Sequence, residues 1–127
     1  MCEYSVFKYI YEQQLRIADR HGFSFYLVLF KVSSALGDTI QPLLLENIMQ
    51  KLGSTLRTNL RKGDTIARYT PIQYVVMLQD PAIGSVRGVL ERVRLTFHQA
   101  VSNAGIVLDY RYKELEKENT AAEAGFF

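Results

Sequence analysis

Few residues in this chain have the chemistry for a site. Arg61 and Asp64 stand three apart in "LRKGDTIARY". Such a pair also arises simply as a helix-end Arg near the C-terminal dipole, followed by a strand-opening Asp. Lys31 follows the apolar run "FYLVLF" and reads as a solvated strand end, although its ammonium could hold a phosphate as a point charge. His21 and His98 lie near helix ends with no second ligand in view, so neither suggests a metal. Cys2 is the single cysteine, which excludes an internal disulfide framework and a Cys-based zinc site. The segment "DTIARYTPIQYVVMLQD" reads as two strands around Thr70-Pro71-Ile72-Gln73. A tight hairpin tip usually carries Gly, Asn or Asp because its central residues need φ > 0. Thr and Pro take that geometry poorly, so either the turn is an ordinary one with Pro at its second position or the tip has lost something.

The elements that would position these residues follow from periodicity. A chain of 127 residues, 48% apolar and 22% charged, is one domain with room for a core. Its net charge of +2 is too small to argue for nucleic acid or an anionic membrane. No apolar run approaches the ~18 residues of a membrane span, and the N-terminus lacks a signal-peptide layout. A cytoplasmic location is the expectation. Phe7, Ile10, Tyr11, Leu15 and Ala18 have helical spacing, with Ser5 as a candidate cap and Gly22 as a stop. The strand "FSFYLVLFKV" follows. A second helix opens at Pro42 and carries the stripe Leu45, Ile48, Leu52, Leu56 and Leu60. Two strands come next, then a third helix with Ile83, Val86, Val89, Leu90, Val93, Phe97 and Val101 inward and Gly105 as its stop. The strand "IVLDYRYKEL" is last. Residues 1–112 are expected to form the domain and 113–127 a flexible tail.

This order predicts an α+β fold: a ferredoxin-like βαββαβ core with an extra N-terminal helix, and helices on both faces of a mainly antiparallel four-stranded sheet. "FYLVLF" and "YVVML" are apolar at consecutive positions, which suits central strands covered twice. "TIARY" and "IVLDYRY" are mixed and suit edges. Right-handed crossovers put both later helices on one face, leaving the first to cover the other. An RNA-recognition sheet shares the βαββαβ order but leaves one face open and lines it with aromatics. The cover expected here, and the missing Gly-flanked aromatics around Tyr69 and Tyr74, argue against RNA binding. Phe7, Tyr11, Phe25, Tyr26, Phe30 and Phe97 read as core.

The segment Leu60–Leu78 resembles the centre of a GGDEF domain, the diguanylate cyclase fold. That family reads Leu-Arg-x-x-Asp, a short strand ending Ala-Arg-Tyr, the turn Gly-Gly-Asp-Glu-Phe, then an apolar strand. Arg61, Asp64, Ala67, Arg68, Tyr69 and the strand after Tyr74 fall in register. "RHGFSFYLVLFKV" resembles the family's helix end and first strand, which normally finishes Asp-Ile-Asp. The resemblance spans Gln14 to Tyr112, is loose from Ser33 to Gln41, and lacks the family's closing helix and strand. More narrowly, the chain looks like the degenerate GGDEF-like domain appended to some bacterial transcriptional activators.

In the active family, as the resemblance implies, two glycines admit the nucleotide phosphates, and two tip acids share metal ions with the Asp of the first strand. Here Thr70 and Pro71 stand at the glycine positions, Ile72 and Gln73 at the tip acids, and Lys31 and Ser33 at the first-strand acids. The expectation is a chain that is not an enzyme, with no catalytic residue, metal or cofactor. Its expected role is a non-catalytic regulatory or protein-interaction domain of a bacterial transcriptional regulator or signalling protein. The alternative is a cyclic di-GMP receptor acting through Arg61 and Asp64, where the resemblance places the family's inhibitory nucleotide site. An active cyclase or an RNA-binding module ranks lower. Expected partners are other domains of the same or a partner regulator, with cyclic di-GMP and a second copy of the chain as options. No direct contact with nucleic acid or membrane is expected.

Overall fold

The computed structural model describes residues 1–21, 25–79, 86–102 and 105–115. Helix α1 (Tyr4–His21) leads into strand β1 (Phe25–Ser34). Helix α2 (Pro42–Asn59) precedes the hairpin β2 (Thr65–Thr70) and β3 (Gln73–Gln79). Helix α3 (Val86–Ala100) and strand β4 (Ile106–Leu115) complete the order. The sheet runs β2-β3-β1-β4 with every neighbouring pair antiparallel, as the split βαβ reading requires.

Both faces of the central strands are covered. Successive side chains of a strand alternate between faces, and the two cores divide β1 accordingly. Val28, Phe30 and Val32 pack with Val76 and Leu78 beneath Ile48, Leu52 and Leu56 of α2 and Leu90, Val93 and Phe97 of α3. Phe25, Leu27 and Leu29 pack with Ala67, Val75 and Met77 against Phe7 and Tyr11 of α1. Phe7 and Tyr11 lie one helical turn apart, which puts them on one stripe.

Local signals hold in part. Pro42 opens α2, and Leu60 leaves the helix in an extended conformation with its N–H on the Leu56 carbonyl. Ser5 is not the cap of α1: the helix already includes Tyr4, and Phe7 donates to the Glu3 carbonyl at 2.9 Å. Ile10 and Leu15 are half-buried because they flank the Phe7–Tyr11 stripe. β4 continues three residues beyond the boundary expected at 112, since Lys113, Glu114 and Leu115 still pair with Leu27, Tyr26 and Phe25. Gly22, Ile83 and residues 116–127 lie outside the described residues. Among the described residues no helix is long and apolar enough to cross a membrane.

One contact fixes the seating of α2 on the sheet. Tyr74, buried on β3, donates its hydroxyl to the Met49 carbonyl at 3.2 Å. It passes so close to α2 that a Cβ at Gly53 would lie 2.7 Å from the phenol oxygen. That approach explains a glycine in mid-helix, where Ala would otherwise be favoured by about 1 kcal/mol. Gly53→Ala should therefore destabilise the protein by about 1–3 kcal/mol in urea denaturation. In a Tyr74→Phe background the same change should cost less, because only Met1 Cε at 3.1 Å and the ring carbon at 3.3 Å then crowd the added Cβ. Phe7→Ala, which empties the α1 core, should cost about 3–5 kcal/mol in the same measurement. A loss below about 0.5 kcal/mol, typical of surface sites, would mean that α1 does not cover the sheet.

Candidate functional site

The sequence-predicted residues fall at opposite ends of the sheet. Arg61 and Asp64 lie where α2 ends and β2 begins, beside Gln79 at the end of β3. Lys31, Ser33, Ile72 and Gln73 lie at the hairpin-tip end, where Lys31 pairs with Gln73. Gln73 and Gln79 bound β3, and six steps of ~3.3 Å put the two clusters roughly 20 Å apart.

At the first end the chain leaves α2 and turns back into β2. Asp64 closes that turn. Its carboxylate accepts from the Arg61 N–H at 2.9 Å and from the Gln79 N–H at 3.1 Å, and the Asp64 N–H returns to the Arg61 carbonyl at 3.0 Å. The Arg61 guanidinium donates to the Gln79 carbonyl. The pair thus ties the end of α2 to the end of β3, which is the structural role the sequence allowed for it. The same turn borders an open cleft of about 280 Å³ lined by Met1, Arg57, Leu60, Arg61, Lys62, Asp64 and Ile66. Arg57, Arg61 and Lys62 are exposed there, and none of them is ion-paired among the described residues. Three cations therefore border one carboxylate, an arrangement suited to an anionic ligand that also offers a hydrogen-bond donor. Arg57 and Lys62 were not singled out from sequence. The signal was Arg57 in the last turn of α2 with Arg61 and Lys62 just beyond the helix end.

At the other end the tip satisfies its own polar groups. Thr70 and Gln73 close the hairpin, and the ladder is irregular between Arg68 and Thr70. That irregularity accommodates a turn whose centre, Pro71-Ile72, cannot take the usual hairpin geometry. The Thr70 hydroxyl donates to Gln73 Oε1 at 2.9 Å and accepts from the Ile72 N–H at 3.3 Å. Arg68 donates to the Thr70 and Pro71 carbonyls at 3.1 and 2.8 Å, reaches Glu46 of α2 at 3.4 Å, and lies 5.6 Å from the Tyr74 ring centroid. Val32 of β1 donates to the Ile72 carbonyl at 2.9 Å. The tip is thus an ordinary turn pinned by an arginine.

A second cleft of about 230 Å³ lies between this tip and the loop after β1. Ser33 and Ile72 line it with Asp38 and Thr39, whereas Lys31 and Gln73 do not. Lys31 is exposed and stands opposite Asp109 of β4. Asp38, the one acid in this cleft, falls in the loop that matched no pattern; its signal was Gly37, which turns the chain at φ +77°. Among the described residues, no group of three His, Cys, Asp or Glu side chains is placed to hold a metal ion.

No protein-family model and no curated protein matches the sequence. Solved structures do match. A DGC protein from Thermotoga maritima aligns with a TM-score of 0.72 at 16% identity, over 87% of this chain and 78% of that one. The coiled coil and GGDEF domain of DgcB from Caulobacter crescentus, in complex with c-di-GMP, gives 0.77 at 14% identity over 93% and 67%. Diguanylate cyclase SiaD from Pseudomonas aeruginosa, in complex with its activator SiaC, gives 0.70 at 16% identity over 90% and 46%. The fold is therefore that of GGDEF domains, as the sequence resemblance implied. These matches correct the expectation that the chain is not an enzyme. It folds as diguanylate cyclases do, and at 16% identity its exchanged tip and strand residues do not establish a loss of activity.

Asp64→Ala would leave two backbone N–H groups without their acceptor, and should lower stability by about 1–3 kcal/mol in urea denaturation. Lys62→Ala at the same cleft should stay within about 0.5 kcal/mol. Equal effects of the two changes would refute the structural role of the carboxylate.

Proposed function

We propose that this chain is a regulatory domain of bacterial cyclic di-GMP signalling, within a signalling protein or a transcriptional regulator, and that it binds the dinucleotide at the Arg57–Asp64 cleft. The observation that carries this reading is the grouping of Arg57, Arg61 and Lys62 around Asp64. It is supported by the GGDEF-domain fold and by the c-di-GMP complex of the structurally similar DgcB. The planar fork of Arg61 can meet a phosphate or a guanine edge with two parallel hydrogen bonds, where a lysine offers one point charge. Asp64 has lone pairs left beyond its two backbone contacts and can accept from a guanine amine. Arg57 and Lys62 add charge for the second phosphate.

A role in protein contact within the same regulator is the second reading. It is favoured by Leu36 and Leu43, 83% and 82% exposed in the loop after β1 and at the start of α2. SiaD, solved with its activator, is a structurally similar protein with a protein partner.

Isothermal calorimetry with cyclic di-GMP separates the two. Micromolar binding is expected, weakened as salt rises because exposed cations are screened. Arg61→Ala should abolish it. Arg61→Lys should weaken it by more than loss of charge explains, since the charge is kept. Lys62→Ala should weaken binding without altering the melting temperature. No heat and no melting shift at several hundred micromolar ligand would overturn the receptor reading and leave the protein-contact reading.

A further inference from the structure

The two edges of the sheet are treated differently. At β2, Cys2 bridges to Ala67 and donates its N–H to the Ile66 carbonyl at 2.9 Å. β4 is the opposite edge and ten residues long. Hydrogen-bonded and non-hydrogen-bonded pairs alternate along an antiparallel ladder, so one bond fixes which β4 groups face outward. Ala35 donates to the Gly105 carbonyl at 2.7 Å, and the register continues through Ser33–Val107, Lys31–Asp109 and Leu29–Arg111. Odd-numbered residues of β4 therefore turn their N–H and C=O toward β1. Leu108, Tyr110, Tyr112 and their even-numbered neighbours turn theirs away from β1, to the side of the sheet that no described strand covers.

We propose that this edge pairs with β4 of a second copy of the chain, antiparallel and centred on Tyr110, to join two sheets into one. The occupant follows from charge complementarity. Centred on Tyr110, the strand places Asp109 opposite Arg111 of the partner subunit, and Arg111 opposite Asp109 of the partner subunit. Both residues are exposed and lie on the same sheet face. Because the outward backbone groups are even-numbered, these two pairs fall at non-hydrogen-bonded positions, where side chains approach more closely. The neighbouring registers are less complementary. A centre at position 109 sets Asp109 against its own copy, and a centre at 111 sets Arg111 against its own copy while placing Asp109 opposite Lys113 of the partner subunit. On the other face, Tyr112, 40% exposed at the edge, comes opposite Leu108 of the partner subunit. Charged side chains, Pro or a bulge commonly guard an edge against pairing, but the charges of Asp109 and Arg111 are of opposite sign and complement those of a second copy. This edge has a regular ladder to β1 and a self-complementary charge pattern, which is the property an isologous two-fold contact needs.

The test is sedimentation equilibrium of the whole chain at micromolar to hundred-micromolar concentration. The wild type is expected to dimerise. Arg111→Asp alone and Asp109→Arg alone should each be monomeric, because each sets like charges opposite one another. A one-to-one mixture of the two variants should recover a dimer, since the opposed charges are then complementary at both contacts. Circular dichroism should show both variants folded. If Asp109→Arg fails to fold because it stands opposite Lys31, the Lys31→Glu, Asp109→Arg double variant keeps an opposed pair between β1 and β4 and takes its place in the mixture. A monomeric wild type at the highest concentration, or a dimer unmoved by Arg111→Asp, would overturn the proposal.

Discussion

The fold depends on one constraint, the double burial of the β1–β3 pair. Leu27, Val28, Val75, Val76 and Met77 are fully buried in these two neighbouring strands. A sheet whose centre is apolar on both sides must be covered on both sides. The α2–α3 layer supplies one cover and α1 the other. The first helix is therefore part of the domain rather than a lead-in to it.

That arrangement confines polar chemistry to the ends and edges of the sheet. At one end the chain must leave α2 and enter β2 without orphaning backbone groups. Asp64 and Arg61 satisfy the turn and the end of β3 together. The same residues face a cleft with two more cations. A structural contact and a ligand-binding arrangement thus share side chains, which is how a short motif can serve both uses. At the other end, Arg68 takes the carbonyls of the Pro71 turn and reaches Glu46, tying the tip to α2.

The edges follow from the same architecture. Cys2 lies along β2, and the ladder of β4 with β1 fixes which of its backbone groups face away from the sheet. Alternation then puts Ile106 and Leu108 into the core and leaves Asp109 and Arg111 exposed. The charges that make the strand look like an edge are also those that make it self-complementary.

The sequence by itself determined the order of elements, the central position of the two apolar strands and the helix on each face. Periodicity and burial are local, additive signals, and right-handed crossovers leave few topologies. Other features had no local signature. Ile10 and Leu15 have the spacing of buried residues, yet only Phe7 and Tyr11 meet the sheet squarely, since the tilt of a helix on a sheet is set by the facing side chains. Gly53 was unreadable until Tyr74, twenty-one positions later, was seen against it. The cleft that Arg57, Lys62 and Asp64 share with Met1 and Ile66, and the separation of Asp64 from Lys31 by the length of β3, were decided by tertiary structure. A cleft is made by elements meeting in space, and sequence spacing fixes distance only within one of them.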